Sequence, residues 1–213
     1  MLIVGCGGGN ERIYQYSTMN ALMAGCYQGQ FRCGELTNRG DFGIGTFDKL
    51  DGEMVLVDGT VYQVRADGRV GRPSQDLLTP FAVVTRFDCD QQIRLQGKYS
   101  WADLQEEIDD RLPSENIFYA VRIEGEFEYV RTRSVPAQQK PYPKLTEVVK
   151  EQPVFEIAGT RGVLVGFRCP DYIFPLNVPG YHLHFVSDRR NCGGHLLDCR
   201  LRDPVTISIT FGE

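Results

Sequence analysis

Between residues 117 and 211 the sequence passes through seven short segments that read as β-strands: 117–123, 127–132, 154–157, 163–168, 181–186, 195–201 and 205–211. Each alternates apolar and polar residues or forms a brief apolar run, and each is bounded by glycine, proline or charged turns. Most of the gaps are too short for the crossover helix that parallel pairing needs, so antiparallel pairing is the expectation. The first half carries the same signature. A glycine-punctuated stretch over 40–48 leads to the apolar run 54–57, then to Asp58-Gly59 and a second run at 60–64, which together predict a hairpin. Residues 80–87 predict another strand.

Helical spacing is confined to three places. Over 12–26, Tyr16, Met19, Leu22 and Met23 recur at helical intervals and the pattern stops near Gly25. Over 100–112, a Ser100 cap and an acidic first turn precede apolar residues at Trp101, Leu104 and Ile108. A short helix over 143–150 opens on a proline, which suits the first helical position. Glu124-Gly125-Glu126 predicts a turn between two strands. The expected fold class is α+β: two packed, mainly antiparallel β-sheets with a few helices. A chain of 213 residues makes one large domain or two small ones, and no linker or low-complexity tract divides it. The expectation is a flexible segment over 1–10, then a single domain over 11–213 built from two intimately packed β-rich halves that divide near 115.

Charge and cysteine usage narrow the function classes. Twenty-three Lys and Arg against 28 Asp and Glu leave a formal net charge of −5, which disfavours a general nucleic-acid or anionic-surface binder. No stretch approaches the roughly 20 apolar residues of a membrane span. The seven cysteines include no C-x-x-C pair, so zinc knuckles and thioredoxin chemistry lack support, and mostly reduced, partly buried thiols are expected. A cytoplasmic location is the primary expectation. Ile3-Val4-Gly5-Cys6 looks like the end of a lipoprotein signal, so an exported form anchored at Cys6 is the alternative should the true start lie upstream.

The chain has three histidines, and all fall within 14 residues: His182, His184 and His195. Chance alone would cluster three residues so tightly about 1% of the time, and a metal site demands such convergence. In Gly180-Tyr-His-Leu-His-Phe-Val186 two imidazoles stand at i and i+2, on one face of a strand. If the chain turns around Arg189 and Arg190 and the strands on either side pair, His184 lies opposite His195, with Cβ atoms about 5 Å apart. Gly193 and Gly194 would leave room beside the third ring. The metal site is therefore expected on a β-hairpin in the C-terminal half. Three neutral imidazoles with an open position are the ligand set of a catalytic zinc, although iron, nickel or copper also suit imidazole. A structural site would want a fourth ligand. Cys199 stands too far along the strand and Cys192 is a candidate in the turn; the open site is favoured.

Longer motifs carry a resemblance. Tyr16-Ser-Thr-Met-Asn-Ala-Leu-Met-Ala-Gly25, Gly40-Asp-Phe-Gly-Ile-Gly-Thr-Phe47, Leu50-Asp-Gly-Glu53, Arg131-Thr-Arg133, Gly162-Val-Leu-Val-Gly166 and the stretch over 179–195 succeed one another in the order found in bacterial alpha-acetolactate decarboxylases, and the chain resembles that family over nearly its whole length. The resemblance implies conversion of 2-acetolactate to acetoin and CO2, with zinc held by His182, His184 and His195. It further implies catalytic roles for Thr46, Glu53 and Arg133, (R)-acetoin as product, and a homodimer. Arg133 would supply a charged planar fork for a carboxylate or an enediolate oxygen, and Glu53 an acid/base. Family members continue into a C-terminal tail with a further acidic residue near the metal, and Glu213 cannot be matched to it. The competing expectation is thus a non-catalytic metal- or ligand-binding relative.

Overall fold

In the computed structural model, which describes residues 4–5 and 12–212, the backbone resolves into fifteen strands and four short α-helices. The first strands are β1 (Val4–Gly5), β2 (Tyr14–Tyr16), β3 (Phe31–Arg32), β4 (Phe42–Thr46), β5 (Glu53–Val57), β6 (Thr60–Val64) and β7 (Val70–Gly71). Next come β8 (Leu78–Thr79), β9 (Ala82–Thr85), β10 (Gln91–Leu95) and β11 (Lys98–Ser100). The last four are β12 (Phe118–Arg133), β13 (Val154–Cys169), β14 (Gly180–Ser187) and β15 (Gly193–Gly212). The helices are α1 (Met19–Met23), α2 (Cys33–Leu36), α3 (Trp101–Asp109) and α4 (Leu145–Val148). Cys6 and Glu213, and with them most of the N-terminal segment, lie outside the described residues.

Two antiparallel sheets dominate. One has six strands in the order β2-β9-β4-β5-β6-β7, and the other runs β1-β10-β15-β12-β13-β14 with β11 also on β15. The expected α+β class with two packed sheets is what forms. Side-chain parity explains the layering. Phe42 and Ile44 of β4, Val55 and Val57 of β5, and Val163, Val165 and Phe167 of β13 share the cluster between the sheets. The alternate residues Met54 and Leu56 pack behind the six-stranded sheet with α2. Leu164, Leu183 and Phe185 pack behind the larger sheet with α3. The six-stranded sheet is thus buried on both faces at β5, which is why 54–57 is an apolar run rather than an alternation.

The Asp58-Gly59 hairpin forms with φ of 51° and 70°, both in the left-handed region that a tight two-residue turn requires. Helix α3 takes its Ser100 cap, with Asp103 completing a capping box. Three expectations fail locally. The helix over 12–26 shrinks to α1, because Tyr14–Tyr16 is drawn into the six-stranded sheet against β9 and Ser17 turns at φ 64°. The helix expected over 143–150 starts only after Lys144 and tightens into a 3-10 turn over Val149–Glu151. No turn forms at Glu124-Gly125-Glu126. Strand β12 runs straight through it, flanked by β13 and β15, and the irregularity appears as a register shift against β15. Strands β13 and β15 likewise each fuse two of the expected segments.

Strand β14 closes the larger sheet by pairing with both β13 and the start of β15. That closure puts Arg133, His195, His184 and Val165 in one cross-strand row.

Candidate metal centre

His182, His184 and Val186 alternate on the face of β14 that looks toward the six-stranded sheet, while Leu183 and Phe185 fill the core behind. The hairpin register is His184 opposite His195, as the turn around Arg189 and Arg190 predicted. Glycines along these strands serve backbone approach rather than ring clearance. A Cβ on Gly194, at φ +131°, would collide with the Arg133 carbonyl, and one on Gly193 would collide with the Phe185 carbonyl.

The three ring centroids form a near-equilateral triangle of 5.2, 5.0 and 5.2 Å. One ring nitrogen from each lies within 4.8 Å of the others. His184 is 1% exposed and its Nδ1–H donates to the Met54 carbonyl of β5 at 2.7 Å, so its Nε2 lone pair faces the centre. Such a backbone acceptor behind the ring fixes tautomer and orientation. His184 Nε2 stands 3.3 Å from His195 Nδ1. A tetrahedral ion with bonds of about 2.0–2.1 Å separates its ligands by roughly 3.4 Å, so this spacing suits one. Nδ1 of His182 is buried and without a partner among the described residues. An orphaned polar nitrogen is costly in a folded interior unless a ligand engages the ring. The donor set therefore fits a divalent transition metal. Neither Cys192 nor Cys199 joins the group. Cys199 is buried in the core behind the sheet, and Cys192 packs against that same core.

Glu53, 8% exposed, opens β5 in the opposite sheet and reaches within 3.4 Å of His184 Nε2. Burial raises its carboxyl to about 7, against a smaller lowering by Arg133. Arg133 closes β12 directly opposite His195, and its Nη2 stands 3.2 Å from His195 Nε2. Thr46 ends β4 opposite Glu53, and its hydroxyl donates to the Gly52 carbonyl at 2.7 Å. That bond pins the turn leading into Glu53. Lys49 and Leu50 in the same turn hold φ of 62° and 63°, a backbone strain that Leu50 bears at the site wall.

His182, His184, His195, Thr46, Glu53 and Arg133 all line a single cavity of ≈ 110 Å³ between the sheets. Its remaining wall is mostly apolar, with Met19 and Leu22 of α1, Leu50, Phe81 and Leu145 prominent. Two groups that contact the candidate residues escape sequence reasoning. The Met54 carbonyl is backbone, with no residue type to mark it. Gln152, whose Oε1 accepts from Arg133 Nη1 at 3.1 Å, sits beyond a long connection without periodicity.

The buried imidazoles also predict a pH response. Burial lowers His182 to about 4, and it drives His184 and His195 well below the usual histidine range. An unfolded chain takes up protons at these rings near 6.5 and the fold refuses them, so their contribution is full above 6.5 and is lost as pH falls toward 4. Glu53 acts oppositely. Its raised value gives stability below about 4.5 that disappears as pH rises through about 7. Three histidines outweigh one carboxylate below pH 6.5. Thermal melts of the chelator-treated protein should show Tm falling between pH 6.5 and 4; a rise would mean the rings accept protons in the folded state.

The family model for alpha-acetolactate decarboxylase matches residues 13–212. The chain belongs to this family. An alpha-acetolactate decarboxylase of Methanosarcina mazei is 49% identical over 90% of this chain and 67% of that protein. The Bacillus subtilis alpha-acetolactate decarboxylase is 46% identical over 93% of this chain and 78% of its relative. An X-ray structure of the enzyme from Bacillus subtilis strain 168 superposes with a TM-score of 0.92 at 44% identity, covering 95% of this chain and 86% of that one. Across the described part of this decarboxylase-family chain, no helix is long and apolar enough to cross a membrane.

Proposed function

We propose that this chain is a carboxy-lyase that converts 2-acetolactate to acetoin and CO2 with a divalent metal held by His182, His184 and His195. The observation that carries the reading is the convergence, in one cavity between two sheets, of three uncharged imidazoles, one guanidinium and one carboxyl group raised toward neutrality. Family membership supports catalysis over a binding-only relative.

A divalent ion held by His182, His184 and His195 would supply Lewis acidity, worth several kcal/mol as negative charge develops on the oxygens of a 2-hydroxy-3-keto acid. The chain's own residues do the rest. Arg133 offers its planar fork to the substrate carboxylate. As the carbon–carbon bond to the carboxylate breaks, CO2 leaves and the electron pair passes into an enediolate. Glu53, whose carboxyl burial raises above the usual carboxylate range, delivers a proton to one face of that carbon and so yields (R)-acetoin. Thr46 holds the turn that aims Glu53. The apolar wall receives the two methyl groups and limits water at the reacting carbon. Zinc is the ion that fits this ligand set best, and a cytoplasmic homodimer accompanies the reading.

The deciding experiment incubates the purified chain with racemic 2-acetolactate and quantifies bound metal in the same sample. Acetoin should form well above the spontaneous rate, stop on chelation and return with zinc. Stoichiometric metal without acetoin would put the binding-only reading first.

A further inference from the structure

Strand β12 ends at Arg133, which pairs with Val154 as β13 begins. The chain between them loops away through α4 and the 3-10 turn over Val149–Glu151, then returns with Gln152 as the last residue before Pro153. That return brings a neutral carboxamide against the outer guanidinium nitrogen, where Oε1 of Gln152 accepts from Nη1 at 3.1 Å. The guanidinium's other terminal nitrogen, Nη2, stands 3.2 Å from His195 Nε2. Nε is buried and has no partner among the described residues.

A guanidinium can grip a carboxylate through either of two edges, the end formed by Nη1 and Nη2 or the side formed by Nε and Nη2. With Nη1 committed to Gln152, the end-on grip is occupied and the side edge is left. One tine of that edge is unpaired and the other leans on a metal-site imidazole. We propose that Gln152 is a positioning residue that locks Arg133 so that its Nε–Nη2 edge receives the substrate carboxylate. The inference rests on the proposed decarboxylase function and deepens it.

The choice of amide over acid is part of the argument. A glutamate at this position would hold Nη1 as well, but its negative charge would neutralise the guanidinium and compete with the incoming carboxylate. Glutamine orients the group and leaves its charge for the substrate. A residue of similar length without an acceptor would keep the packing and release the guanidinium to swing.

The test compares wild type with Gln152→Met and Gln152→Glu as full-length, metal-loaded proteins, measuring kcat and KM for 2-acetolactate together with metal content and Tm. Both variants should keep stoichiometric metal. Gln152→Met should raise KM about tenfold, the size of one lost hydrogen bond that orients a charged group. Gln152→Glu should raise it at least as much, even though its geometry is conservative. A wild type that turns over, with KM unchanged in both variants, overturns the Gln152 role and leaves the proposed function standing; a shift in Tm alone has the same meaning. A wild type with no turnover overturns both readings, because the side edge of Arg133 would then have no carboxylate to receive.

Discussion

His184→Ala should strip the protein of its metal and lower acetoin formation by at least about a thousandfold, the scale expected when a metal that polarises the substrate is lost. His184 is the hub of the centre. Its Nδ1–H is tied to the Met54 carbonyl, and its Nε2 stands 3.3 Å from His195 and 3.4 Å from Glu53. Truncation therefore removes one of the three candidate ligands, takes the imidazole donor away from the Met54 carbonyl, and removes the group facing the candidate acid. Two imidazoles with an added water form a weaker site than three. Elemental analysis and acetoin assays on the same preparation check the outcome. A variant that keeps both stoichiometric metal and turnover would show that the ligand set is wrong. Circular dichroism separates this from unfolding, since the two sheets carry their own apolar cores.

Glu53→Gln should have the second largest effect, and a different signature. The amide is nearly isosteric and leaves all three imidazoles in place, so metal content should stay close to wild type. Turnover should fall by about 10²–10⁴, the usual contribution of a positioned acid or base. Burial between the sheets is what suits Glu53 to the task. In the metal-free protein it lifts the carboxyl to about 7, toward the range in which an acid/base works at neutral pH. Without that proton donor the carbon is protonated from solvent on either face, so residual acetoin should lose its enantiomeric excess. Chiral chromatography of the product reads this directly. Unchanged turnover together with unchanged chirality would remove Glu53 from the mechanism.

The parts of this site that are legible in the sequence are those governed by local periodicity. Alternation along a strand is enough to put His182 and His184 on one face, and the midpoint of a short polar turn is enough to set His195 opposite His184. The β5–β6 hairpin and the capped helix α3 are readable for the same reason, because their signals lie within a few residues of one another. Glu124-Gly125-Glu126 misleads because glycine between acids looks the same in a turn as in a strand that must admit a neighbour closely. Here the Pro204 carbonyl comes to 3.1 Å of where a Gly125 Cβ would be. The pattern over 12–26 misleads in a similar way, since helical spacing in Tyr16, Met19 and Leu22 cannot register that a sheet edge is available to Tyr14–Tyr16.

Thr46, Glu53 and Arg133 have no distinguishing pattern of their own. A glutamate at a strand start and an arginine at a strand end are ordinary surface features, and only the family resemblance singles them out. What the sequence by itself determined is the antiparallel, strand-rich architecture and the three-histidine hairpin, because both arise from side-chain alternation and turn chemistry within short stretches. Only the tertiary structure decided that Glu53 is buried and raised, that the Met54 carbonyl aims His184, and that Gln152 braces Arg133. Those properties arise where two sheets face each other, and the contacts join residues remote in sequence that no local period can connect.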